Sequence, residues 1–491
     1  MKFDSNTEAF KTLGEADKDS LNERLEKAQD DQWRQKYHVQ PIAGSMNSIA
    51  GFVHHEGLYH IFYQWSPFAD KRTRCLYHVT SDDLVYFENR GIVKMLSDGA
   101  YSGSAFVMEE DIHLYHTEVR SNTVYQQYTP FTTQGGALHP GRTVPVIKGV
   151  PPEYGWLMKD PKVWHEDGRH FMLLGAASPE DYGRLLVFEG ETPSSFEYRG
   201  ELKTGLDQFG FMWEAPDYFE LDGHQVFVFC PQGLDKYRNS YWNIYQSGYI
   251  IGEADCEALT LDHGPFHELD HGFDFYAPKT LLNGNGERLM IGWMGMKETA
   301  YPTGEAWSHC LTLPRELSIE EGRLKQRPAA SLRKLREAEM TAEGYFNHRP
   351  KKVRDFYGDS YELVMDILEN DATRIHIDLR VSRREQTSLI YETDTQTLIL
   401  DTAFSGAMPE NVDGTDRKVV LDSPLASLHI FVDVSSIEIF ANDGEAVMTA
   451  RIFPSDRATG MEVSTEIGSC HVKMTRYSLK QLSLKPVLDH R

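Results

Sequence analysis

Cysteine is scarce in this sequence. There are five in 491 residues, Cys75, Cys230, Cys256, Cys310 and Cys470, at wide spacings. An odd number with no C-x-x-C pair argues against a zinc ribbon or a dithiol redox motif. No run of about 18 apolar residues occurs, so no membrane-spanning helix is expected. The opening MKFDSNTEAFKTLGEADKDS has no apolar core of the kind a secretory signal needs. Reduced thiols without an export signal point to a cytoplasmic protein. Basic residues are also few: 50 Lys and Arg stand against 74 Asp and Glu, a net charge of −24. Such a chain lacks the basic face that nucleic-acid phosphates require and the polybasic segment of a membrane anchor. A small anionic ligand in a locally basic pocket stays compatible with it.

What is present reads as β structure. Residues 1–36 are the exception and read as an N-terminal helical extension. There Ser20 and Glu23 form a capping-box pattern, and Leu21, Leu25 and Ala28 follow at helical spacing. From residue 37 five hairpin-like units recur: GFVHHEGLYHIFYQ (51–64), SAFVMEEDIHLYHT (104–117), PKVWHEDGRHFMLLG (161–175), PDYFELDGHQVFVFC (216–230) and PKTLLNGNGERLMIGW (278–293). Their turns hold Gly57, Asp111, Gly168, Gly223 and Gly286, spaced by 54, 57, 55 and 63 residues. Gly after Asp or Asn supplies the positive φ that tight hairpins need. One hairpin plus room for two further strands makes one four-stranded blade. Five such units predict a five-bladed propeller over 37–325; a sandwich of several hairpins is the alternative, and needs no such regular spacing. Residues 326–344 read as a linker helix after Pro328, and 345–491, with its alternating strands and the Asn442-Asp443-Gly444 turn, as a β-sandwich. The predicted class is all-β.

In a propeller the innermost strands ring a central channel, so polar residues at their starts converge on one funnel. These are Asn47-Ser48, Ser102-Gly103-Ser104, Lys159-Asp160, Trp213-Glu214 and Phe275-Tyr276. Carboxylates ahead of apolar strands are costly unless paired or used. Asp160 and Glu214 hold matching places in consecutive units and are the leading catalytic candidates; a turn-capping role is the plainer alternative.

Several segments, in order, carry a resemblance: KYHVQP (36–41), HIFYQ (60–64), YSGSAFV (101–107), KDPKVW (159–164), MWEAPDYF (212–219), DHGFDFYAPKT (270–280), IGWMG (291–295), HCLTLPREL (309–317) and SSIEIFANDGEAVMTARIFP (435–454). Through them the chain resembles glycoside hydrolase family 32, the invertases and β-fructofuranosidases. The resemblance implies a five-bladed propeller followed by a β-sandwich. It implies a fructoside ligand such as sucrose or sucrose 6-phosphate, no cofactor and no metal; self-association stays open. It implies retaining cleavage by a nucleophilic carboxylate, a stabilising carboxylate and an acid/base. By this resemblance Glu214 is the acid/base, protonated before cleavage, and Asp160 the transition-state stabiliser. Asn47, Gln64, Tyr101, Ser102, Lys159 and Trp293 match substrate-pocket positions. Lys159 stands where the family has Arg and lacks its planar two-pronged fork; Ala215 stands where it has Cys.

The first motif departs from the family. In place of W-M-N-D-P-N-G the chain has Ser45-Met46-Asn47-Ser48-Ile49-Ala50-Gly51. Ser48 occupies the nucleophile position, and a serine needs an adjacent base to attack. Three readings follow: a working fructosidase with help from elsewhere, an altered mechanism using a water or an anion (or fructosyl transfer), and a fructoside-binding homologue with little or no turnover. A basic cluster, Lys71, Arg72 and Arg74, is the sequence's candidate for receiving a sugar phosphate, with an ordinary solvated loop as the alternative.

Overall fold

A computed structural model describes residues 10–68, 73–97, 99–134, 137–155, 157–255, 257–304 and 306–482. Five antiparallel sheets of four principal strands follow one another along the chain. Their first strands are Gly44–His55, Ala100–Met108, Met158–Glu166, Met212–Leu221 and Tyr276–Leu282. Each packs against the next, and the fifth returns against the first, which closes the ring of a five-bladed propeller. Trp307–Ser308, carried past the fifth blade's hairpin, pairs in parallel with Gly44–Ser45 and ties the circle shut. At three of the hairpins both turn residues have positive φ: Glu56-Gly57, Asp167-Gly168 and Asp222-Gly223, as two-residue turns between twisted strands demand. In blade two the turn is Glu109-Glu110, and Asp111 already belongs to the second strand.

The N-terminal helix runs from Glu15 to Gln29 and starts earlier than the capping-box pattern suggests. Gly14 is its N-cap, and Ser20 lies inside it. Glu15 and Asp17 in the first turn suit the positive end of the helix dipole. Leu21, Leu25 and Ala28 are buried as their spacing predicts, together with Phe10 and Leu13, against Tyr63 and Trp65 of blade one.

The expected linker helix over 326–344 does not form. Arg323–Pro328 is the outer strand of blade five, Ala330–Leu335 is a short 3-10 helix, and Arg336–Phe346 is a strand paired with Cys470–Leu479. Leu332 and Leu335 are buried three residues apart, a spacing a 3-10 turn satisfies as well as an α-helix does. The long pairing with Cys470–Leu479 overrides the helical propensity of Ala, Arg and Glu. The rest of the chain forms two six-stranded antiparallel sheets. Alternating residues such as Ile375, Ile377 and Leu379 face Leu363, Ile430 and Ile439 in the core between them.

Propeller and sandwich meet through buried charge. Arg315 Nη2 lies 3.0 Å from both Asp270 Oδ2 and Glu438 Oε2, and donates to Thr449 Oγ1 at 2.8 Å. His38 bridges Asp433 at 2.8 Å and Glu438 at 3.1 Å. Burial alone would lower the His38 pKa, but its two carboxylate hydrogen bonds hold it at about 9. Burial would raise Asp433 and Glu438; the His38 contact leaves both below the usual carboxylate range.

Candidate active site

One local device places the site. In every inner strand the pairing with its neighbour slips near the channel mouth: at Met46/Ile49, Ala100/Gly103, Lys159/Lys162, Glu214/Asp217 and Tyr276/Lys279. The residues released from the ladder are Asn47-Ser48, Tyr101-Ser102, Asp160-Pro161, Ala215-Pro216 and Ala277-Pro278. A bulge re-aims side chains, and proline, lacking an N–H, cannot hold a ladder position. Asp160, Ala215 and Ala277 have φ of 61°, 47° and 48°, a left-handed conformation that non-glycine residues adopt at some cost and that clusters at functional sites.

Glu214 is the hub. It is 3% exposed. One carboxylate oxygen contacts Lys159 Nζ; the other contacts Lys297 Nζ and accepts from the Tyr276 hydroxyl at 2.5 Å. Gln232 Nε2 in turn donates to the Tyr276 oxygen at 3.2 Å. Asp160 is tied to the same cluster: its Oδ2 accepts the backbone N–H of Ala215, next to Glu214, at 3.1 Å, and its own N–H donates to Thr117 Oγ1 at 2.9 Å. Burial pushes the Lys159 ammonium down to about 7, with Lys297 lowering it and Asp160 raising it. Its head also lies 4.7 Å from the centre of the Tyr101 ring. Burial likewise lowers Lys297. The Glu214–Lys159 contact therefore joins an acidic side chain to an ammonium whose hold on its proton is loosened by burial.

The other anticipated pocket residues brace the walls. Ser102 Oγ donates to the Ile49 carbonyl at 2.6 Å, and Gln64 Nε2 to the Tyr101 carbonyl at 2.5 Å. Together they lock the bulges of blades one and two. Trp293 Nε1 donates to the Met46 carbonyl at 3.1 Å, which fixes the backbone just ahead of Asn47. Asn47 Nδ2 donates to Ser66 Oγ at 3.1 Å. Ser48 is half-buried, and among the described residues its hydroxyl has no hydrogen-bond partner. No base is therefore in place to make it a nucleophile.

Sequence reasoning missed Lys297, Gln232 and the role of Tyr276. Tyr276 stood at the start of unit five and carried the positional signal. Lys297 lies beyond the last paired residue of its hairpin and carried none. Lys71 and Arg72 lie outside the described residues; Arg74 Nη1 donates to the Ala100 carbonyl at 3.1 Å, on the wall between blades one and two. Among the described residues no His, Cys, Asp and Glu cluster fits a metal ion, no helix is long and apolar enough to cross a membrane, and Cys75, Cys230, Cys310 and Cys470 are buried and unpaired.

The comparisons agree along nearly the whole chain. The Glycosyl hydrolases family 32 N-terminal domain matches residues 38–328, and the Glycosyl hydrolases family 32 C terminal matches residues 331–481. A sucrose-6-phosphate hydrolase of Staphylococcus xylosus is 42% identical over 484 residues, 96% of this chain and 97% of the relative. A sucrose-6-phosphate hydrolase of Bacillus subtilis (strain 168) is 33% identical over 448 residues, 87% of this chain and 90% of its own. Among solved structures, a sucrose-6-phosphate hydrolase from Lactobacillus gasseri superposes with a TM-score of 0.83 at 26% identity, covering 96% of this chain and 98% of that one. A GH32 beta-fructofuranosidase from Bombyx mori reaches 0.79 at 26% identity, covering 96% and 99%. A closed ring of five blades, two carboxylates at its bulged mouth, and family matches that together span 38–481 place this chain among the glycosyl hydrolases of family 32.

Proposed function

We propose that this chain is a β-fructofuranosidase acting on sucrose 6-phosphate or a closely related fructoside, with Glu214 as proton donor and Asp160 as the group that steadies the oxocarbenium-like centre. The observation that carries the reading is the joining of Asp160 and Glu214 at the bulges of adjacent blades, through Ala215 and Lys159. A carboxyl group that gives its proton to the leaving oxygen and a second carboxylate near the anomeric carbon are what glycoside cleavage requires. The Lys159–Glu214 contact offers a route for the proton. Near pH 7 Lys159 exists in both forms, so Glu214 has a neighbour that can return a proton to it after the leaving group departs.

Ser48 sets the rate. With no carboxylate at that position, water must capture the fructosyl centre directly, its proton passing to the Glu214 carboxylate or the neutral Lys159 amine. Loss of such a group costs several kcal/mol, and each ~1.4 kcal/mol is tenfold in rate. The unpartnered hydroxyl favours a second reading, a fructoside-binding protein with negligible turnover. Release of fructose from sucrose, sucrose 6-phosphate and short fructans, measured beside binding of the same sugars, separates the two. Slow release that disappears in Glu214→Gln supports the enzyme. Binding with no release above the Glu214→Gln background supports the binder.

A further inference from the structure

Lys297 belongs to two places at once. Its ammonium touches Glu214, and its side chain, 39% exposed, also lines a cleft of about 660 Å³ between the propeller and the sandwich. Across that cleft stands Arg417, from the sandwich strand Asp416–Val420. Arg417 is 3% exposed. Its Nε is held by Asn243 Oδ1 at 2.9 Å and its Nη1 by the carbonyls of Asp413 and Asp416 at 3.0 and 2.9 Å, all uncharged acceptors. Its Nη2 makes no hydrogen bond among the described residues; the charges of Asp274, Asp413, Asp416 and Glu268 act on it without a direct ion pair. A buried guanidinium with one edge open is a ready anion receptor, since its remaining N–H groups match phosphate oxygens.

Three of the four carboxylates that line the cleft have partners of their own; Asp235, the fourth, forms no ion pair among the described residues. Asp413 pairs with Lys236, Asp274 accepts from Tyr301 and the Arg451 backbone, and Glu298 accepts from Tyr245. Trp242, with its indole N–H unpartnered, adds a flat apolar wall on which a sugar ring can lie.

We propose that this cleft receives the phosphate of a phosphorylated leaving sugar, between Lys297 and Arg417, and that the phosphate draws Lys297 away from Glu214. The inference rests on the reading of Glu214 as proton donor. Two cations on a carboxyl group favour its ionised form, the wrong form for an acid, and Glu214 touches both Lys159 and Lys297. A phosphate dianion competes for Lys297, leaves Glu214 with one cation fewer, and so favours the protonated form that cleavage needs. Phosphate on the substrate then acts on kcat as well as on KM. It is a recognition device that also arms the acid.

Calorimetric titration of the full chain with glucose 6-phosphate, glucose and inorganic phosphate tests the site without any turnover. Glucose 6-phosphate is expected to bind at least about tenfold more tightly than glucose, as one charge-assisted contact to phosphate provides. Lys297→Met and, separately, the milder Arg417→Lys should each reduce that ratio by roughly tenfold. Equal binding of the two sugars by the unmodified protein overturns the site, and so does an undiminished ratio in both variants. Hydrolysis supplies the second arm. The kcat for sucrose 6-phosphate should exceed that for sucrose, and Lys297→Met should bring the two kcat values together. Fructose release with equal kcat for both substrates leaves the fructosidase reading standing and overturns the coupling. A preserved glucose 6-phosphate preference without any fructose release does the reverse for the activity: the phosphate site stands and the hydrolase reading falls.

Discussion

Two clusters of buried charge lie in this molecule, and they are built on opposite plans. At the propeller–sandwich interface Arg315 is shared by Asp270 and Glu438, and His38 by Asp433 and Glu438. Backbone N–H groups of Leu313, Val434 and Thr449 take up further acceptor sites on the same carboxylates. Every carboxylate of that network is paired, and of the Arg315 guanidinium only Nε lacks a partner among the described residues. In the funnel Glu214 holds two lysines and a tyrosine, while Ser48, two blades further round the ring, makes no side-chain hydrogen bond among the described residues. Buried charges that are fully paired fix a geometry; a cluster with an open position waits for a partner. The first arrangement docks two domains. The second is the one proposed to address a sugar.

The largest expected effect lies at the open position. Ser48→Asp restores a carboxylate where Asn47, Trp293 and the Met46 carbonyl already fix the backbone. Fructose release should rise by about a thousandfold or more, since each ~1.4 kcal/mol of transition-state stabilisation is tenfold. An unchanged rate would mean that Ser45 and Ala50 have reshaped the pocket as well.

At the interface network, Arg315→Met leaves Asp270 and Glu438 buried without that cation. Denaturant unfolding should show a loss of about 3–5 kcal/mol, with fructoside affinity preserved in whatever protein remains folded. A loss below about 1 kcal/mol would mark the interface as dispensable.

His38 gives a pH signature of similar kind and smaller size. Its folded pKa, about 9, lies above the ordinary 6.5. Its contribution is therefore complete below about pH 6.5 and is lost as pH rises through about 9, amounting to about 3 kcal/mol at one pH unit per 1.4 kcal/mol. The Tm gap between the unmodified protein and His38→Gln should be widest near pH 6 and narrow towards pH 10. A gap independent of pH would refute the charged pairing.

The smallest effect concerns Lys159. Its ammonium is held near neutrality by burial, so Lys159→Met should lower kcat by roughly tenfold and remove a titration near pH 7 from the rate profile. Lys159→Arg, whose guanidinium does not give up its proton, should lose both that titration and about the same factor in rate. A profile that keeps the pH 7 limb in Lys159→Met would assign it to another group.

Much of this was legible from sequence, and the reasons differ from part to part. The five blades were, because a hairpin turn announces itself through Asp-Gly and Asn-Gly and repeats. Asp160 and Glu214 were, because a carboxylate at the head of an apolar strand stands out. The bulges were half visible: Pro161, Pro216 and Pro278 each deny the ladder an N–H, yet the left-handed backbone beside them is a tertiary outcome. Lys297 and Arg417 were not legible at all. One lies on a loop inside blade five, just after its hairpin, and the other on a sandwich strand, 120 positions apart in the chain, and only domain docking lets them line one cleft. The linker failed for the same reason: the residues after Leu335 suit a helix locally, and it is the partner strand Cys470–Leu479 that claims them.

The central claim is that the bulged mouth of the propeller is a fructoside site. It is tested most directly by calorimetric titration of the unmodified protein with sucrose 6-phosphate, beside Asp160→Asn. The account predicts saturable one-to-one binding that Asp160→Asn weakens by at least about tenfold, the worth of one charged hydrogen bond. No binding heat, or binding indifferent to Asp160→Asn, would contradict it.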